Sequence, residues 1–307
     1  MNQKATVDGM YTPGSEFSYG EDIINMITYL NKFSGMEQFM NIGYADSLIE
    51  YFLFPVGLSS KRLPERLAKP LLDRPNDFGT VLVVGCGRGG EAVLLHELTG
   101  CTITGVDITP FNIETAQKYT KKMKVNNKVS FLVGNACELP VDSESVSCVF
   151  SCESAFHYRY KERFIKESYR VLKKSGLLLI ADIVKRKPLG KLSVDEKKTL
   201  KEFETMLAIP EFFTLEEYKK HMAETGFRNI IDCEVISNHN IGYLAAYSGR
   251  LLRIFTLLEK LPRFKAKIKT SFKRKKIDIE NFLAHSRTTA EAVKSELVDY
   301  IIISAEK

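Results

Sequence analysis

Several things are missing from this 307-residue chain, and each absence closes a door. No apolar run approaches the roughly 18 residues that a membrane-spanning helix needs. The opening stretch, MNQKATVDGMYTPGSEF, holds no apolar core of the kind a secretory signal carries, so a cytoplasmic protein is expected. The six cysteines include no C-x-x-C pair and no neighbouring histidines at zinc-ligand spacing; buried, reduced thiols are expected. No acidic cluster with ligand spacing surrounds the fourth predicted strand, so no metal is expected. Internal repeats, low-complexity tracts and recognisable RNA-binding modules are also missing, and no nucleic-acid partner is expected.

What is present has the proportions of an ordinary globular protein, 44% hydrophobic and 27% charged. The net charge of +6 is unevenly placed. Residues 250–276 carry eleven Lys or Arg against one acid, Glu259, so the rest of the chain sums to −4. Three readings fit this basic segment: a solvated helical cover with lysine stems laid along apolar surface, a peripheral contact with an anionic surface, or a contact with an anionic substrate. The first is the commonest outcome for such a run and is preferred.

Along the chain, about eighty residues of helical character come first. EDIINMITYLNKF places Ile23, Ile27 and Leu30 on one face, and further helices are expected in DSLIEYFLF and SKRLPERLAKPLL. Then strands and helices alternate. TVLVVG, CTITGVDI, KVSFLVGN, VSCVFS and GLLLIADIV read as five strands, and YKERFIKESYRVLKK as an amphipathic helix between the last two. Thr109 and Pro110 start another helix, and Thr214 with Glu217 forms a capping box. NIIDCEVI and the terminal LVDYIIISAEK supply a sixth and a seventh strand. This alternation predicts an α/β fold, a mostly parallel sheet with helices on both faces.

The first sign of chemistry is VVGCGRGGEA, with Gly85, Gly87 and Gly90 at G-x-G-x-x-G spacing between a strand and a helix. Glycines let a ligand approach the backbone, and the helix that follows presents free N–H groups to an anionic moiety. Asp107 ends the next strand about twenty residues on, where a carboxylate can accept hydrogen bonds from both ribose hydroxyls. Together these features point to a nucleoside cofactor rather than an ordinary strand-to-helix turn. Alone they do not separate a dinucleotide from another adenosine cofactor.

Four segments in order make that separation. VLVVGCGRGGEAVLLHELTGCTITGVDIT, VSFLVGNACELPVDSESVSCVFSCESAFHY and FIKESYRVLKKSGLLLIADI resemble the successive motifs of class I S-adenosylmethionine-dependent methyltransferases of the small-molecule type. The resemblance is strong from Phe78 to Val184 and weaker in the C-terminal strands. It implies a Rossmann-like seven-stranded sheet with an antiparallel last strand. It implies an N-terminal helical lid over residues 1–77 and a methyltransferase domain over residues 78–307. Substrate-cover insertions are expected at about 185–227 and 238–291.

Carried over by position, the resemblance assigns S-adenosylmethionine to Gly85, Cys86, Gly87 and Gly90, with Asp107 on the ribose and Ile108 on adenine. Asn135 and Ala136 stand where relatives usually carry an acid and a small residue. An asparagine oxygen can accept from the adenine amino group without charge, and GNACELP reads equally as a turn. Tyr44, in FMNIGYADS, is expected near the cofactor, and Tyr19 and Tyr158 near the acceptor.

In SCESAFHY, Glu153 and His157 are four apart, so a helical turn would put them on one face. His157 is the expected general base and Glu153 an orienting group, with structural roles, capping a helix or binding a backbone amide, as the alternative. The function expected is methyl transfer to a small lipophilic acceptor. O-methylation is the first choice and N- or C-methylation the second, ahead of an RNA methyltransferase, an NAD-dependent oxidoreductase or a non-catalytic binding protein.

Overall fold

The computed structural model describes residues 36–53, 57–74, 79–244, 246 and 279–307. The helix expected at residues 21–33, Tyr19 and the basic segment lie outside the described residues.

Seven strands form one sheet: β1 Thr80–Val84, β2 Thr102–Asp107, β3 Val129–Val133, β4 Val146–Cys152, β5 Leu172–Lys185, β6 Arg228–Val235 and β7 Val298–Glu306. Their order is β3-β2-β1-β4-β5-β7-β6. β1 to β5 pair in parallel, and β7 runs antiparallel to both β5 and β6. The expected α/β sheet with its antiparallel last strand is therefore what the chain forms.

The sheet is sandwiched, and its strands show it. Val81 to Val84 and Leu178 to Ala181 are all buried, as continuous apolar runs must be when helices cover both faces. Two apolar clusters result. One gathers Val81, Val83, Phe150 and Leu179; the other gathers Leu82, Val84, Val149, Leu178 and Ile180. Successive strand residues alternate between the two, the period-two geometry of a strand.

The helices include α1 Leu48–Leu53, α2 Gly57–Leu67, α3 Lys69–Leu72, α4 Gly90–Thr99, α5 Pro110–Met123, α6 Lys161–Val171, α7 Val194–Met206, α8 Leu215–Thr225 and α9 Ile279–Lys294. Their ends follow local chemistry. Pro110 stands in the first turn of α5, and its fixed φ suits that place. Thr214 and Glu217 close the expected capping box of α8, and Ser193 with Glu196 closes a second one at α7. Thr109 precedes α5 without a side-chain cap; its backbone N–H is taken by Asp107 instead. The residues between β5 and β6 carry α7 and α8, and α7 packs against α9.

Candidate active site

The strand order reverses at β1. From there the chain steps outward through β2 and β3, and then returns to β4 on the other side. In an open parallel sheet this switch point leaves a crevice at the carboxyl ends of the two central strands. The glycine loop leaves β1 there, and SCESAFHY leaves β4 beside it.

The two exits touch. Ser154 Oγ donates to the Val84 carbonyl at 3.0 Å and shares a hydrogen bond with Ser151 Oγ at 2.9 Å. Tyr158 Oη donates to the same Ser154 Oγ at 2.9 Å. Gly85 lies against this cluster with φ +72°, and a Cβ on it would come within 2.3 Å of Ser154 Cβ. Only glycine fits both constraints.

Asp107 closes the other side of the crevice. Its buried carboxylate accepts the Gly87 N–H at 2.9 Å, the Thr109 N–H at 2.9 Å and the Asn112 amide at 3.2 Å. Burial raises its pKa, against the pull of these donors. Ile108 beside it is half-buried, Cys86 is buried, and the Cys86 thiol is pushed up by burial. Asn135 Oδ1 accepts the Cys137 N–H at 2.9 Å, closing a turn within GNACELP. Any adenine contact there uses the second lone pair of that oxygen. Ala136 is buried in the second apolar cluster.

A strap crosses the loop. Gly90 N–H donates to the Gln38 carbonyl at 3.3 Å, and a Cβ on Gly90 would meet that oxygen at 2.7 Å. Met40 Sδ stands 3.2 Å from where a Cβ on Gly87 would be. Asn41, 1% exposed, donates to Glu91 Oε1 and to the Ser60 carbonyl, both at 3.0 Å. Ile42 N–H donates to Glu153 Oε2 at 2.9 Å. Gln38 Oε1 is buried without a hydrogen-bond partner among the described residues. A cradle of backbone, an acid at the end of β2 and an orphaned buried acceptor above the loop suit a polar nucleoside ligand.

Tyr44 is buried: its ring stacks on His239 at 5.4 Å and lies under the Arg66 guanidinium at 4.7 Å. Gln38 and Met40 lie against Gly90 and Gly87 of the loop. Tyr158 sits beside Gly85. The helical face shared by Glu153 and His157 does not form. Glu153 adopts a left-handed φ of 51°, and only Ala155–His157 coils, as a single 3-10 turn.

Glu153 Oε1 accepts from Tyr300 Oη at 2.9 Å, so its two oxygens tie the strap to β7. Burial pushes its pKa up to about 8; the two donors oppose the shift, and Glu91 and Asp182 add to it. His157 Nδ1 faces the Ala208 carbonyl at 3.4 Å, and its ring lies 4.0 Å from that of Phe156. A carbonyl can only accept, so Nδ1 carries the proton and Nε2 the lone pair. Burial pushes this histidine down to about 3. Phe203, Met206, Ile209 and Phe212 belong to the same apolar cluster as Phe156.

Four residues that patterns did not single out complete the setting: Glu91, Lys161, Asp182 and Tyr300. Glu91 is pushed up to about 7 and Asp182 to about 6, both chiefly by burial. The signal for Asp182 was available, since an acid inside LLLIADIV must be buried with a partner.

Residues 82–180 match the family described as "Methyltransferase domain". The chain carries a methyltransferase domain. Its fold is that of the class I S-adenosylmethionine-dependent type, as four motifs in sequence had implied. The chain is 30% identical over 155 residues to a sterol 24-C-methyltransferase of Clavispora lusitaniae, covering 50% of this chain and 40% of that one. It is 29% identical to the 27-O-demethylrifamycin SV methyltransferase of Amycolatopsis mediterranei, over 55% of this chain and 60% of that one. The chain thus spans less than two thirds of the curated relatives it matches. Among solved structures, geranyl diphosphate C-methyltransferase from Streptomyces coelicolor superposes with a TM-score of 0.69 at 16% identity, over 96% of this chain and 99% of that one. That enzyme was crystallised with Mg2+, geranyl-S-thiolodiphosphate and S-adenosyl-L-homocysteine. Among the described residues of this chain, no helix is long and apolar enough to cross a membrane.

Proposed function

We propose that the protein transfers a methyl group from S-adenosylmethionine to a small, largely apolar acceptor. The observation that carries the proposal is Asp107, an acid at the end of β2 that is hydrogen-bonded to the glycine loop it faces. Its remaining lone pairs suit ribose hydroxyls, and the Gly85–Gly87 backbone suits the methionine portion. Ile108 would pack on adenine, with Asn135 and Ala136 at its amino edge. The cofactor supplies an electrophilic methyl on a sulfonium, and the chain's task is alignment, charge balance and exclusion of water.

At the acceptor end, Glu153 is the better candidate for receiving a proton or balancing a developing positive charge. A carboxyl with a pKa of about 8 holds a proton far more readily than an imidazole held near 3. His157 then serves as a neutral hydrogen-bond acceptor that orients the acceptor against apolar walls. This arrangement suits carbon and oxygen acceptors alike. O-methylation with His157 as base is the second reading, with the ring held at Nδ1 by the Ala208 carbonyl. The segments at 185–227 and 238–291 are proposed as the acceptor's cover, with residues 1–77 as the lid.

Calorimetry with S-adenosylhomocysteine and with NAD tests the cofactor. Binding of the first in the micromolar range, without the second, is expected; the reverse would overturn the proposal. Transfer of labelled methyl from S-adenosylmethionine to an isoprenoid, sterol and phenol panel then separates carbon from oxygen acceptors.

A further inference from the structure

Lys161 opens α6 and is wholly buried, which lysine almost never is without partners. Its ammonium donates to the Phe156 carbonyl at 3.2 Å, to the Tyr158 carbonyl at 3.0 Å and to the Glu211 carbonyl. An ammonium has three donors, and all three are used. Two of the acceptors bracket His157 in sequence. The third lies on the segment whose Ala208 carbonyl faces the His157 ring. The Lys161 backbone N–H reaches the same segment, donating to Glu211 Oε2 at 3.1 Å.

Asp182 holds the other side of this turn. It too is wholly buried, accepting the Phe156 N–H at 3.0 Å and the Tyr218 hydroxyl. Within the turn, His157 N–H donates to the Ser154 carbonyl at 3.1 Å, and Tyr158 N–H to the Ala155 carbonyl at 3.0 Å. A buried cation at its carbonyls and a buried anion at its N–H hold it from both sides. Removing either charge strands the other in a water-poor place, where an unpaired ion is costly.

We infer that Lys161, with Asp182 across the turn, is a positioning residue that locks the His157 turn and the 208–211 segment together and so fixes the imidazole. That the imidazole stands at an acceptor site rests on the methyl-transfer reading; the clamp itself does not. Asp182 and Glu211 stabilise the ammonium, Lys185 opposes it, and the Cys137 thiol also acts on it; burial brings it down to about 8. Loss of its proton leaves two N–H donors for three carbonyls, and the turn loosens.

Histidine-labelled full-length chain, followed by NMR with and without S-adenosylhomocysteine, tests the clamp. The five histidines give few resonances, and His157→Gln assigns the one of interest. In Lys161→Met the titration of His157 is expected to rise by about one pH unit or more, towards the ordinary imidazole range. A folded Lys161→Met chain whose His157 titrates as in the unaltered protein would overturn the inference. If Lys161→Met does not fold, Glu153→Gln supplies the second measurement, because it removes the other group titrating near 8. Its His157 resonance should still shift through about pH 8; a flat trace there overturns the inference. Failure of the unaltered chain to bind S-adenosylhomocysteine would sink the methyl-transfer reading, while the His157 resonances would still decide the clamp.

Discussion

Glu153 holds a backbone φ of 51°, in the left-handed region that a side chain with a Cβ enters at a cost. The strain directs its carboxyl between the Ile42 N–H of the strap and the Tyr300 hydroxyl of β7. As the proposed proton acceptor it must be ionised to act, so kcat/KM should climb with pH and level off above about 8. Glu153→Gln should remove that rise and lower turnover by roughly 10²- to 10⁴-fold, with cofactor affinity little changed. A profile that keeps its inflection in the variant would return the proton to another group. Asp107 works at the opposite end of the same crevice. Asp107→Ala should weaken S-adenosylhomocysteine binding on the order of a hundredfold or more, because hydrogen bonds to a charged group contribute about 1.5–3 kcal/mol each. Asp107→Asn should cost about tenfold, and calorimetry reads both.

At the scale of elements, the glycine loop and the β4 exit form one unit because Ser154 ties them through the Val84 carbonyl. Gly85→Ala tests this. Its Cβ would sit 2.3 Å from Ser154 Cβ at a φ of +72°, so backbone and serine must both yield. A loss of about 1–3 kcal/mol in urea unfolding is expected, with weakened cofactor binding. An alanine variant of unchanged stability would show that the two exits move independently. This unit also marks how far the sequence could be read. TVLVVG, the glycines and Asp107 are local patterns, and each lies where its spacing implied. The Glu153–His157 pairing failed because the four-residue rule assumes a helix, and Ser154 is pulled towards β1 before one can form. Asn41, Lys161 and Tyr300 were silent for a related reason. Their partners lie far along the chain, and periodicity records which face is buried, not what satisfies a buried polar atom there.

Taken as a whole, the molecule brings Glu91, Glu153 and Asp182 within electrostatic reach, Glu91 and Asp182 each acting on Glu153, with pKa values raised to about 7, 8 and 6. Each value is above that of the same side chain in an unfolded chain, near 4.5 for Glu and 3.8 for Asp. Through those intervals the folded protein holds protons that the unfolded chain has released, so stability falls as pH rises. His157 acts in the opposite sense. Its folded value of about 3 lies below the unfolded 6.5, so it lowers stability only as pH drops through that interval. Lys161, brought down from 10.5 to about 8, acts only above pH 8, where it makes stability rise with pH. Between pH 6.5 and 8 the two glutamates are therefore left without these opposing terms. The melting temperature should fall steadily across that window, first through Glu91 and then through Glu153. Glu91→Gln should remove the slope below about pH 7 and Glu153→Gln the slope up to about 8, while the double variant stays level. A bound sulfonium should flatten the fall as well, since a cation in the crevice favours the ionised acids, whereas S-adenosylhomocysteine, lacking that charge, should flatten it less. Equal flattening by the two ligands would mean that these carboxylates do not sense the methyl donor's charge.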